Sequence, residues 1–444
     1  MTNVDASERR ALLREVFLQT LQRIDIARCM EETLRAGYGA LTIGTREYHA
    51  AAIQKVVVIA VGKAAFPMMR VACQRFAETG FKVSRAVCVG AGDSGGLPES
   101  VEVFHGSHPL PDEQSNAVAL RVLDALENLG PDDLALFLIS GGSSAMIELP
   151  LDAGLTMSEV AEFHRALVHS GLDIKAMNTL RKHFSAVKGG RLASIAGRAQ
   201  KHTLLISDVP DGQWDVIGSG PSVPDRSTRE DCWKLLRESD LLAAIPPRIR
   251  SFLLSDDLPE TPKENDRCFA NAYVDCPVSM ATMLEAAADI CRAHGWDSVI
   301  DISCDDWEYR DAASYLMDRV ETLVRERGPV CVISGGEVLV TVDAEAGAGG
   351  RNQQFALYCA TQLSKRSVEM SILSAGSDGI DGNSPAAGAI VDGTTLERAQ
   401  LHGMSAATAL EAFNAYPLFH ALGDGVTTGP TGNNVRDLRI LFGE

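Results

Sequence analysis

Apolar residues fall in two rhythms along this chain. Over residues 7 to 35, Leu13, Phe17, Leu21 and Ile24 recur at steps of four, four and three, which predicts one long amphipathic helix lying on the outside of a sheet. From residue 55 the pattern changes to short unbroken apolar runs, each followed by a Gly- or Ser-rich loop and a helical stretch: KVVVIAVGKAAF, ALFLISGGSSAM, HTLLISDVPDG, VCVISGGEVLV and MSILSAGSDGIDG. Unbroken hydrophobicity means that both faces of these strands are covered. Alternation with helices then predicts a mostly parallel α/β sheet.

Boundaries between these runs are legible. Thr156 and Glu159 have the spacing of a capping box, and Asp173 can cap a helix running to Lys188 and stopping at Gly189 and Gly190. Residues 255 to 267 are polar, carry two prolines and lack periodicity, and so read as a linker between two domains. A Gly-rich tail is expected from residue 374 onward.

Composition narrows the function. With 444 residues, 45% of them hydrophobic and 23% charged, the chain can bury two cores. A formal charge of -18 without a basic block argues against a nucleic-acid partner. The charged start MTNVDASERRALLREVF lacks the apolar run of a signal or anchor, so a cytoplasmic protein without a membrane partner is expected. Ten scattered cysteines without C-x-x-C pairing point to reduced thiols and no zinc site.

Candidate chemistry lies where loops leave the carboxyl ends of the strands, because parallel α/β sheets bind ligands there. Gly62 and Lys63 follow VVVIAV and open a helix, so backbone N–H groups and an ammonium can meet an anion, although the Walker A spacing is missing. Ser140, Gly141, Gly142 and Ser143 offer small residues and hydroxyls for phosphate or carboxylate oxygens. No G-x-S-x-G elbow supports a hydrolase nucleophile there. His105 and His108 stand three apart, yet the neighbouring prolines and the lack of a third ligand favour a structural or substrate-contacting turn over a metal site. Helical spacing puts Asn178, Arg181, Lys182 and Ser185 on one side, either a solvated face or the lining of a carboxylate pocket. Later, GAGGRNQQ delivers Arg351 at a helix start, where a two-pronged grip on phosphate is natural. Asp208, Glu337, Asp378 and Asp381 are acids at strand ends, suited to Mg²⁺ but equally to turns and caps.

Read in order, VGKAA, HPLPD, SGGSSA, MNTLRKHFSAVKGGRLA, SDVPDG…IGSGPSVPD, SGGEVLVTV, GAGGRNQ, SDGIDG…AAGA and TGPTGNNVRDLRI resemble the glycerate 2-kinase family over residues 8 to 440. The family was formerly labelled hydroxypyruvate reductase. This resemblance implies a Rossmann-like N-terminal domain (1–256), a smaller C-terminal α/β domain of MOFRL type (266–444) and an active site in the cleft between them. It implies an ATP- and Mg²⁺-dependent kinase acting on the 2-hydroxyl of D-glycerate, with small molecules as partners and homodimerisation left open. Carried over by position, Lys63 and Arg351 are the catalytic cations and Asp208 joins them. Gly335 and Gly336 of SGG, with Asn352 beside Arg351, join the binding loops, and Glu337, Asp378 and Asp381 are the metal candidates. This chain departs from the family at Asp211-Gly212-Gln213, Ser143, Gln354 and Asn433, which puts the acceptor and the metal ligands in question. Two rivals stand beside the kinase. A nicotinamide-dependent hydroxypyruvate reductase would want G-x-G-x-x-G after the first strand, where VGKAAF stands. A non-catalytic sensor of a phosphorylated sugar acid would keep the anion loops without needing the acids.

Overall fold

The computed structural model describes residues 5–209, 212–342 and 345–444. Two compact units emerge. One is Ile26–Pro277, and the other is Val278–Glu444 together with the N-terminal segment up to Asp25.

In Ile26–Pro277, a six-stranded sheet has the spatial order Val101–His105, Val83–Gly90, Val56–Val61, Leu134–Ile139, Gln200–Ile206, Ala272–Val278. The pairings from Val101–His105 through Gln200–Ile206 are all parallel, as the unbroken apolar runs predict. Numbered by first appearance the order is 3-2-1-4-5-6, that of the doubly wound dinucleotide-binding fold. Val56–Val61 and Leu134–Ile139 are buried at every position, so their side chains supply both faces of the core. A small antiparallel meander, Leu34–Gly37, Ala40–Ile43 and Arg46–His49, belongs to the same unit. A separate helical core joins Val160, Phe163, Leu180, Phe184, Leu236, Ile249 and Leu253. Thr156 and Glu159 form the expected capping box, and Asp173 accepts from the Ala176 N–H.

The second unit departs from the parallel expectation. Its sheet runs Asp297–Ile300, Val330–Gly336, Asp437–Gly443, Met370–Gly376, Gly388–Asp392, Gly425–Val426, and only the first pair is parallel. The last strand of the chain enters the middle, antiparallel to both neighbours, so what reads as a Gly-rich tail contains the central strand.

Three further boundaries shift. The helix expected over 7 to 35 is two helices, Ala6–Arg23 and Ile26–Thr33, because each packs into a different unit. The helix capped by Asp173 ends at Phe184, where Ser185 turns extended and bridges Pro150. The polar stretch expected as the linker is instead pinned within the first unit: Thr261 Oγ1 donates to Asp225 at 2.9 Å, and Glu260 accepts from the Arg229 N–H at 3.2 Å. The division therefore falls at Pro277/Val278 and at Asp25/Ile26. Among the described residues no helix is long and apolar enough to cross a membrane.

Candidate active site

Strand order in the first unit reverses between Val56–Val61 and Leu134–Ile139, so the loops leaving their carboxyl ends diverge and open a crevice. The two loops are stitched together. Lys63 N–H donates to the Gly141 carbonyl at 2.9 Å, and Ala64 N–H donates to Ser140 Oγ at 3.0 Å. Gly62 has φ 125° and packs so closely on Ser140 that a Cβ would overlap it. Gly142, at φ 84°, leaves room for two side chains: a Cβ there would stand 3.3 Å from both His108 Cδ2 and Lys63 Cγ. A Cβ on Gly141 would lie 2.6 Å from Asp208 Oδ2. The glycines thus let Lys63, His108 and Asp208 approach one stretch of bare backbone.

Behind this backbone is a cavity of about 320 Å³ lined by Gly141, Gly142, Ser144, Asn178, Arg181, Asp208 and Ser219, with His108 and His164 beside them. Arg181 is the notable group. Its Nη1 donates to Asn178 Oδ1 at 3.2 Å, its Nε is buried without a partner, and among the described residues it pairs with no carboxylate. Burial pushes this guanidinium below its usual range, with the charge of Glu148 opposing the shift. Asn178 Oδ1 also accepts from Ser219 Oγ at 3.0 Å, which in turn lies 3.0 Å from Ser144 Oγ. Burial first, and the Lys63 charge second, lower the His108 pKa, so this imidazole favours its neutral form. His164 is anchored from behind by Glu148, 2.9 Å from its Nε2, and Glu148 also takes Lys188 at 2.7 Å.

In the second unit, sheet register does the assembling. Asp437 pairs with Gly336 on one side and Gly376 on the other, so the loops after both strands meet the start of the last strand. Buried Asp437 receives Arg351 through Nε at 2.6 Å and Nη2 at 3.0 Å, and Nη2 also reaches Glu337 Oε1 at 2.8 Å. Asp437 holds the Arg351 pKa above its usual value against the effect of burial. Nη1 makes no hydrogen bond among the described residues and is the donor left for a ligand. Burial raises the Glu337 carboxyl, Arg351 opposing it. A cavity of about 570 Å³ opens beside Arg351, Gly350, Asp378 and Asp381.

Asp381 meets a demand other than the one expected of it. The helix Arg351–Leu363 begins at Gly350, which has no side chain to cap it. Asp381 accepts instead from the backbone N–H groups of Asn352 at 3.0 Å and Gln353 at 2.9 Å, and from both side-chain amides at 3.3 and 3.0 Å. Burial nevertheless raises its pKa to about 6. Its lone pairs are spent on the helix start.

Of the residues singled out in the sequence, Gly141, Gly142, Asn178, Arg181 and Asp208 line one cavity with Lys63 against it, and Arg351, Asp378 and Asp381 line the other. His108 also lines the first cavity and Glu337 pairs with Arg351, while most of the remainder are enclosed in the fold. Ser140 is spent on the Lys63 turn, and Ser143 is buried away from the cavity while Ser144 faces it. Lys182 lies buried between Asp215 and Asp225, at 2.7 and 2.9 Å. Asn352 is enclosed by Asp381 and Ser374. Gly335 and Gly336 are buried in their strand, with carbonyls accepting from Arg439. His105 packs edge-on against Phe66 rather than joining His108 in a metal pair. Asp211 lies outside the described residues. Sequence reading missed Asp437, Ser219 and His164, while Ser144 stood among the hydroxyls of the SGGSS loop; NNVRDLRI carried a signal for Asp437 as an acid opening an apolar run.

Two family signatures cover the chain: the "Domain of unknown function (DUF4147)" matches residues 12–254, and the "MOFRL family" matches residues 330–437. The D-glycerate 2-kinase of Thermotoga maritima is 36% identical over 394 residues, covering 87% of this chain and 90% of that protein. The glycerate 2-kinase of Pyrococcus horikoshii is 34% identical, covering 87% of each. This chain belongs to the glycerate 2-kinase family. The crystal structure of glycerate kinase from Thermotoga maritima superposes on it with a TM-score of 0.84 at 32% identity, over 98% of this chain and 99% of that one. The two-domain glycerate kinase architecture therefore extends to it, and the departures at Ser143 and Gln354 fall on buried positions: Gln354 Nε2 donates to the Leu410 carbonyl at 2.8 Å.

Proposed function

We propose that this protein transfers the γ-phosphoryl group of ATP to the 2-hydroxyl of D-glycerate, giving 2-phosphoglycerate. The observation that carries this reading is Arg181: a buried guanidinium without a carboxylate partner, lining a cavity of about 320 Å³, is completed by the carboxylate of a small acid. Ser144, Asn178 and Ser219 supply hydroxyl and amide groups for the acid's other oxygens. Asp208, opposite Gly141, is the acid that orients the acceptor hydroxyl and takes its proton.

Phosphoryl transfer passes through a loose transition state with charge spread over the equatorial oxygens, so catalysis is mostly positioning and charge stabilisation. Lys63 and the free edge of Arg351 are the cations assigned to that charge. Among the described residues no three His, Cys, Asp or Glu side chains are grouped to cage a metal ion. Mg²⁺ needs no such cage, since it binds through one or two carboxylates together with substrate phosphates. Glu337 and Asp378 are the carboxylates that would hold it, and when bound it would neutralise nucleotide phosphate charge. All ten cysteines are free, in keeping with a reducing, cytoplasmic setting.

Incubation with ATP, Mg²⁺ and D-glycerate, with the product identified by NMR, tests the proposal. 2-Phosphoglycerate is expected. Exclusive 3-phosphoglycerate would overturn the regiochemistry, and the absence of transfer, with NADH consumed on hydroxypyruvate, would replace the kinase by the reductase.

A further inference from the structure

We infer that the 570 Å³ cavity of the second unit seats the base and ribose of the phosphoryl donor, with Arg351 at its phosphate end. This rests on the kinase reading and divides its two substrates between two cavities, the smaller one holding Arg181 and the larger one leading to Arg351.

The first cavity, of about 320 Å³, brings Arg181, Asn178, Asp208, Ser144 and two histidines together with apolar Val168 and Ile174, and its unpaired guanidinium suits a small acid. The second, at about 570 Å³, is the larger of the two and has an apolar wall. Leu339, Val342 and Ile380 line it while exposing 57%, 49% and 45% of their surfaces. Apolar side chains left that exposed and gathered on one concavity gain about 25 cal/mol for each Å² they lose to water, which the flat face of a base supplies.

The opposite wall is a fixed glycine loop. Asn383 bridges it, donating to the Gly347 carbonyl at 3.1 Å and accepting from the Gly349 N–H at 2.8 Å, while Asn414 accepts from the Ala348 N–H at 2.8 Å. Gly350 packs so tightly on Asp381 that a Cβ would displace it. The loop leads directly into Arg351. A nucleotide lying along it thus runs from the apolar wall to the guanidinium, and the bare backbone lets the sugar and phosphates approach closely.

Steady-state kinetics on the full chain, with ATP and D-glycerate varied separately, test this. Ile380→Glu and Leu339→Glu place a carboxylate on exposed wall positions, where the fold tolerates it. Each is expected to raise KM for ATP about tenfold or more while KM for D-glycerate changes less than about threefold. Ile380→Leu restores the parent value, and Leu401→Glu, an exposed apolar site outside the cavity, controls for added charge. Adenosine is expected to protect residues 338–342 and 378–383 from hydrogen exchange. An unchanged KM for ATP, a selective rise in KM for D-glycerate, or adenosine protection confined to the Gly62 and Gly142 loops would overturn the assignment. Should the parent transfer no phosphate, the kinase reading fails separately, and calorimetry of ADP on the parent and on Ile380→Glu still decides the cavity: weaker binding by the variant supports it, and equal binding refutes it.

Discussion

Lys63 and Arg351 present their charges differently, and that difference sets what each substitution does. Lys63 stands exposed above Gly142 with no ion pair among the described residues, so its removal disturbs little structure. Lys63→Ala is expected to lower kcat about 100-fold or more, with a smaller change in KM for D-glycerate, because the cation gains most of its interaction as the transferring bond stretches. A kcat within about twofold of the parent, on a variant with unchanged circular dichroism, would make it an ordinary helix-start lysine. Glu148 is the opposite case. It is fully buried, and although burial pushes its pKa up, Lys188 and His164 bring it down to about 2. A carboxyl depressed in the folded state stabilises the protein above its unfolded pKa of about 4.3, and loses that contribution as pH falls toward 2. Glu148→Gln is expected to cost about 3–5 kcal/mol near neutrality, by leaving Lys188 uncompensated. Urea unfolding at pH 7 and at pH 3 checks this, the gap between parent and variant narrowing at the lower pH.

At the level of elements, the start of the helix Arg351–Leu363 shows how a site acid can be read in the sequence and misassigned. SDGIDG places Asp381 in a loop after a strand, a position shared by metal ligands and by caps, and sequence spacing alone does not separate the two. What separates them is the glycine at 350: the helix lacks a side-chain cap of its own, and its first N–H groups take their acceptors from Asp381. Asp381→Asn keeps one acceptor oxygen but turns an NH₂ toward N–H donors. A loss of about 1–3 kcal/mol is expected, with faster hydrogen exchange in the first turn of the helix and a weakened grip of Arg351 on Asp437. Exchange rates unchanged at Asn352 and Gln353 would show that the clamp is dispensable.

At the scale of the whole molecule, the first helix is a test of how the chain is divided. Phe17 is fully buried in the unit formed with Val278–Glu444, where its helix lies on Met280–Ala293, Met370–Gly376 and Gly388–Asp392, and Arg9 pairs with Glu369 at 3.1 Å. Phe17→Ala is expected to cost about 3–5 kcal/mol and to be felt in the far end of the sequence: exchange should accelerate in Met370–Gly376 while Val56–Val61 stays protected. Equal loss in both strands would show that the units unfold as one. By itself the sequence determined the five apolar strands, the caps at Thr156 and Asp173 and the glycine loops, because each of these is local: a buried strand needs an unbroken apolar run, and a tight turn needs glycine. Tertiary structure decided the rest. Lys182 and Arg181 are neighbours in the same helical pattern, yet one is buried between two aspartates and the other lines a cavity without an ion pair among the described residues. Asp437 becomes the anchor of Arg351 only because the last strand is inserted at the centre of a sheet whose other members lie up to about 140 residues earlier. Charge pairing and strand order depend on contacts between residues far apart in sequence, and such contacts leave no periodicity for the sequence to show.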